Sequence, residues 1–218
     1  MESFGQALDS SQLIALAAAL GWASGIRLYA VVLLTGLAGY FGLVDLPHGL
    51  HVLQHPGVLA AAGVMCFLEF FADKIPYVDT LWDLVHTAIR IPAGAALAAA
   101  AFGADHESMA WIAAILGGGL AATSHLTKLT MRAAVNTSPE PFSNIAVSLA
   151  EDGFVVFMLW LAAAHPAVFE IALVLAIAVS ILMLVLLFKF LRVVARRLSE
   201  LFHGHVPKLS HVQENPHR

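Results

Sequence analysis

Leu13 to Leu43 reads LIALAAALGWASGIRLYAVVLLTGLAGYFGL, with Arg27 as its one charged residue. An apolar run of that length reads as a membrane helix, since about 20 residues suffice to cross a bilayer. As one straight helix its 31 residues would extend ~46 Å, against ~30 Å of hydrocarbon. The segment must therefore tilt, protrude or break. The candidate break is Gly21-Trp22-Ala23-Ser24-Gly25-Ile26-Arg27, because glycine weakens a helix interior and opened backbone is tolerated where it lines a cavity. In the alternative, Gly21 and Gly25 lie four residues apart on a tilted helix and let a neighbour approach closely. Arg27 must pair, snorkel or face water in either case.

The rest of the chain carries the same signature. It has 218 residues, 60% hydrophobic and 12% charged, with a mean hydropathy of +0.82. So few charges cannot cover a soluble domain of this size, whereas a bundle in lipid needs none across the hydrocarbon layer. Further apolar segments fall near 57–73, 84–103, 109–131, 143–164 and 167–190, which predicts about six spans. No period-two alternation suggests a barrel. The expected fold is all-α, a polytopic helical membrane bundle over 13–197, with a short cytoplasmic amino terminus at 1–12 and a polar cytoplasmic tail at 198–218. Nothing resembles a cleavable signal. The single cysteine, Cys66, lies in an apolar segment and reads as a packing residue.

Lys189, Arg192, Arg196 and Arg197 follow the last span. By the positive-inside rule they hold the carboxyl terminus in the cytoplasm, in a multi-pass protein of the bacterial inner membrane. Six spans put the amino terminus inside as well. Two crossings within the first segment would make seven and flip that end.

Ionisable residues crowd the middle of the chain. Glu69, Asp73, Lys74, Asp79, Asp83, His86 and Arg90 lie within 22 residues, and intramembrane charges are expensive enough to suggest a task. On a helix after Pro76, Asp79, Asp83, His86 and Arg90 share a stripe roughly 60° wide. A shift of 65 residues aligns Pro76 with Pro141, Asp79 with Asn144, Asp83 with Ser148 and His86 with Glu151, beside Asp152, in the manner of a repeated hairpin. Ser124, Thr127, Lys128 and Arg132 share a face on the fourth span, with His125 alongside. Six acids (Glu69, Asp73, Asp79, Asp83, Glu151, Asp152) then stand near five bases (Arg27, Lys74, Arg90, Lys128, Arg132). This near-balance fits interhelical ion pairs. It also fits a polar cavity open toward the cytoplasm, since several of these groups sit a turn or more inside their spans.

No cofactor is predicted. A divalent metal has a half-shell available in Asp79, Asp83 and His86, with Glu151 as a further ligand, though such spacing is common by chance. His48, His51 and His55, and the tail residues His203, His205, His211 and His217, read as solvated. Phosphate loops, HExxH and GxSxG are absent from the sequence, no catalytic residue stands out, and no nucleic-acid surface is indicated.

Ser24 to Tyr29, Ala72-Asp73-Lys74-Ile75-Pro76, Asp79, His86 to Gly94 and Ser148 to Asp152 together resemble an uncharacterised bacterial integral-membrane family known as a domain of unknown function. The resemblance covers about residues 20–155 and implies no activity and no site residue.

The expected function is a small transporter or channel-like protein. Arg27, Glu69, Asp73, Asp79, Asp83, His86, Arg90, Lys128, Glu151 and Asp152 would form a pathway for a cation, proton or small charged solute. The lipid bilayer is its partner, and a homo-oligomer is compatible with the sequence. Two other classes fit: a membrane-embedded enzyme on lipid or isoprenoid headgroups, and a non-catalytic assembly or scaffold protein.

Overall fold

The computed structural model describes residues 10–75, 77–103, 107–136 and 141–203. Six long helices follow one another: α1 Ser10–Tyr40, α2 Pro56–Ala72, α3 Val78–Phe102, α4 Glu107–Val135, α5 Pro141–Ala164 and α6 Pro166–His203. A short 3-10 helix, His48–Gln54, precedes α2 and meets it at a 67° bend. Five helices are long and apolar enough to cross a membrane, or six if the bent pair counts as one span. The all-α polytopic bundle therefore stands. Its outward surface carries large apolar side chains such as Trp111, Ile115, Leu175 and Leu182, as a lipid-facing surface requires.

The first segment is broken, and the break falls on Arg27, whose φ of −141° and ψ of 70° leave the helical region. Neighbouring contacts give the direction of each arm. Gly21 meets Gly117, Gly25 meets Ala121 and Ser124, and Lys128 reaches Ile26, so the first arm runs parallel to α4. Tyr29 and Val32 face Met65, Ala62 and Val58, Gly36 meets Leu59, and Gly39 meets Gln54, so the second arm runs antiparallel to α2. Helices α2 and α4 are themselves parallel, since Asp73 beyond the end of one binds Lys128 in the last turns of the other. The chain therefore reverses at Arg27. Both arms rise from that residue toward the end of the bundle that holds the 3-10 helix. At ~1.5 Å per residue they are roughly 25 and 20 Å long. Six unbroken spans would have put Ser10 and Tyr40 at opposite ends; the reversal puts them at the same end.

Small residues make this interior arm possible. A Cβ on Gly21 would stand 2.7 Å from the Cα of Gly117, and one on Gly25 would overlap the Ala121 carbonyl and the Ser124 hydroxyl. The first arm is consequently buried almost all round, with Ala15, Ala19, Leu20, Trp22 and Ala23 in the core. Helix α3 continues through Pro92. Phe169 and Leu173 anchor α6, otherwise mostly exposed along its apolar surface. Two compact units divide the chain after Leu184; in the second, the described residues 185–203 complete α6.

Candidate functional site

A helix that stops leaves its last carbonyls without intrahelical donors, and in lipid these need partners. Helix α4 supplies them for the first arm of α1. The Ser124 hydroxyl donates to the Trp22 carbonyl at 2.6 Å, His125 Nδ1 lies 3.1 Å from the Gly25 carbonyl, and Lys128 Nζ donates to the Ile26 carbonyl at 3.3 Å. The same Nδ1 lies 3.2 Å from Arg90 Nη1, and Nε2 lies 2.7 Å from Thr87 Oγ1, whose hydroxyl donates to the Asp83 carbonyl. A cation beside the carbonyl end of a helix is also favoured by the helix dipole.

Around this reversal the charged groups form one connected network. Arg27 pairs with Asp73, meets Asp152 at 2.9 Å and Glu151 at 3.6 Å, and donates to the Ser148 carbonyl and hydroxyl. Arg90 pairs with Glu69 and with Asp83 at 2.7 Å. Lys128 joins the two halves, 2.9 Å from Asp73 and 3.1 Å from Asp83. Arg132 meets Glu151 at 2.8 Å, Asp73 at 3.5 Å and Asp79 at 3.7 Å, and donates to Asn144 Oδ1 at 2.6 Å. Nine of the ten charged members are buried; Asp152, with its side chain 29% exposed, reaches the surface.

The network differs from the sequence expectation in one count. Lys74 stands over the Phe70 ring, donates to the Phe70 carbonyl at 3.0 Å and reaches the Ser148 hydroxyl at 3.4 Å, so it touches the edge of the network without an ion pair among the described residues. The ion pairs among the described residues thus join six carboxylates to four cations, Arg27, Arg90, Lys128 and Arg132. The ion-paired groups carry a surplus of two negative charges if all are ionised, and Lys74 at the edge offsets one of them. Burial in a low dielectric makes such a surplus costly unless protons or a cation offset it.

The stripes of α3 and α5 both turn inward. Asp79, Asp83 and His86 are buried, as are their counterparts Asn144, Ser148 and Glu151, and Arg132 touches Asp79 and Asn144, the first aligned pair. Pro76 itself lies outside the described residues.

The metal half-shell does not assemble. His86 stacks on Trp82 and puts Nδ1 2.7 Å from that residue's carbonyl, while Asp79 accepts from the Asn136 amide and Asp83 binds Arg90. No group of three or more His, Cys, Asp or Glu converges among the described residues. The loop histidines His48, His51 and His55 are exposed, as expected; His51 Nε2 also lies 2.9 Å from the Leu46 carbonyl, and His55 Nδ1 accepts from Gly57 to cap α2. His205, His211 and His217 lie outside the described residues, and nothing is assigned to His203. Most of these charges are packed against one another, and Lys128 and Glu151 also line a cavity between α1, α4, α5 and α6.

Sequence reasoning gave His125 no role, and it missed Asn136 altogether. Each hydrogen-bonds a member of the site, yet both are uncharged and unmarked by any motif. Ser124 and Ser148 carried a signal, the first on a polar face and the second by alignment with Asp83.

Residues 14–188 match the model of a family described as "Domain of unknown function (DUF4126)". No curated protein and no solved structure matches the chain.

Proposed function

The chain belongs to that family, and because its description carries no activity we propose, from the geometry, a small inner-membrane transporter or channel-like protein for a cation, proton or small charged solute. The observation that carries this reading is the charge surplus at a broken helix. Six buried or half-buried carboxylates share four cations where α1 reverses. Discontinuous helices with ionisable groups at their ends are how many transporters hold an ion in the bilayer. Protonation of one carboxylate, or entry of a cation, would cancel part of the surplus and loosen the pairing of Lys128 or Arg90.

In this reading Asp83 is the exchange point, because it lies between Arg90 and Lys128 and its Oδ2 has no hydrogen-bond partner among the described residues. The described state is the closed one. The basic cluster late in the sequence of α6 would face the cytoplasm by the positive-inside rule.

The test is flux in reconstituted vesicles under a proton or alkali-cation gradient. Wild-type protein is expected to dissipate the gradient, and Asp83→Asn to abolish this with its thermal unfolding retained. Unchanged flux in a well-folded variant removes Asp83 from the mechanism. Wild-type vesicles as tight as protein-free ones would favour the scaffold reading, which the ion pairing of Arg27, Arg90, Lys128 and Arg132 also supports.

A further inference from the structure

His125 carries two incompatible hydrogen bonds on one atom. Its Nδ1 lies 3.1 Å from the Gly25 carbonyl, which can only accept, and 3.2 Å from Arg90 Nη1, which can only donate. A single nitrogen, protonated or bare, serves one of the two. Across the ring, Nε2 lies 2.7 Å from Thr87 Oγ1, whose hydroxyl donates to the Asp83 carbonyl at 3.0 Å. The side chain is fully buried, so bulk solvent does not relieve the conflict.

Each protonation state resolves it differently. With its proton on Nε2 the ring accepts from Arg90 and donates to Thr87, and the Gly25 carbonyl faces a lone pair. With the proton on Nδ1 the ring serves Gly25, but an N–H then points at the guanidinium and Thr87 must turn its hydroxyl from Asp83 to Nε2. The doubly protonated ring donates to Gly25 and to Thr87 at once. It gives up only Arg90, which keeps Glu69 and Asp83. One proton thus exchanges the contact between Arg90 and His125 for a donor to the open end of the first arm of α1.

Charge balance points the same way. The charges facing the ring are Arg90 and Asp83 from α3 and Lys128 one turn along α4, while α1 presents the Gly25 carbonyl. Of the two surplus negative charges in the network, Lys74 offsets one. An imidazolium at position 125 cancels the other. A bare cation would need several oxygens in place of its water, and the carboxylates here are engaged by guanidinium and ammonium groups. A proton needs one lone pair.

We infer that the ion of the reversal is a proton and that His125 carries it, passing between a neutral ring held by Arg90 and an imidazolium bound to Gly25. This rests on the ion-site reading above and narrows it. Arg90 is the positioning group, because it holds Nδ1 bare until the proton displaces it.

Heteronuclear NMR of histidine-labelled protein in nanodiscs reports which ring nitrogens carry protons. His125 is assigned by its absence from His125→Gln or, should that variant not fold, by backbone correlation through Ser124 and Leu126. At about pH 8 the ring should be neutral with its proton on Nε2, and by about pH 4 doubly protonated, with the fold retained by circular dichroism. Arg90→Lys replaces a planar fork by a point charge, and should invert the neutral tautomer to Nδ1–H. A ring that stays neutral at the acid end in folded protein, one that carries Nδ1–H at the alkaline end, or an unchanged tautomer in folded Arg90→Lys each overturns the inference; if Arg90→Lys does not fold, the wild-type titration decides. Flux separates this site from the transport reading. Proton uptake by His125 in a protein that dissipates no gradient sustains the site and removes transport, whereas proton flux that persists in folded His125→Gln keeps transport and overturns the site.

Discussion

The ammonium of Lys128 lies 3.3 Å from the carbonyl of Ile26, the last residue before α1 leaves helical geometry. One side chain thus closes the end of a broken helix and, through Asp73 and Asp83 at 2.9 and 3.1 Å, ties α2 to α3. Structural and charge-balancing roles are fused in a single atom. That fusion explains how an arm of α1 can end inside a membrane domain with its terminal carbonyls accounted for.

Replacing Lys128 should therefore be among the most damaging single changes. Lys128→Met leaves two buried carboxylates and a carbonyl short of a donor, and breaking a buried pair costs about 3–5 kcal/mol. Ser124→Ala removes one neutral hydrogen bond to Trp22, at roughly 1 kcal/mol. Thermal unfolding in detergent should rank the two variants in that order, and equal losses would mean that Lys128 is solvated.

Glycines on α1 and α4 should answer oppositely to alanine. A Cβ on Gly25 overlaps the Ala121 carbonyl, whereas one on Gly119 meets nothing within 4 Å. Gly25→Ala is expected to destabilise the bundle. Gly119→Ala should be neutral or raise stability by up to about 1 kcal/mol, the helix-propensity difference. Unfolding midpoints measured side by side would decide, and a tolerated Gly25→Ala would dispute the tight packing of the first arm.

Much of this was legible in the sequence. Leu13 to Leu43 is too long for one straight crossing, and Arg27 inside it marks where the chain departs from helical geometry. The 100° periodicity of Asp79, Asp83, His86 and Arg90 placed all four on one inward face, and all four are buried. The partnerships were not legible. Residue spacing gives a side chain's face but not its distance to another helix, so Lys74 counted with the other bases although it meets the Phe70 carbonyl and the Ser148 hydroxyl and makes no ion pair among the described residues. Likewise Asp79, Asp83 and His86 resemble half a metal shell in projection, while in space each has a separate partner. The sense of each arm of α1 was hidden for the same reason: it is fixed by contacts with α2 and α4.

Exchanging one ion pair should not restore stability. In Glu69→Arg combined with Arg90→Glu, the carboxylate introduced at position 90 would face Asp83, which Arg90 now holds at 2.7 Å. The double variant is expected to be no more stable than either single variant, because the pair belongs to a network and not to itself. A double-mutant cycle on unfolding free energies measures this. Full recovery would indicate an isolated bridge.

Surface labelling can test the reversal at Arg27 directly. Cysteines placed at Ser11, Gly42 and Asn136 in a Cys66→Ser background mark the two ends of α1 and the far end of α4. Because both arms of α1 rise toward the same end of the bundle, positions 11 and 42 should react with an impermeant maleimide from one side of sealed vesicles and position 136 from the other. An α1 that crossed once would separate 11 from 42. That outcome would also remove the broken helix, and with it the geometric basis for an ion site between Lys128 and Asp83.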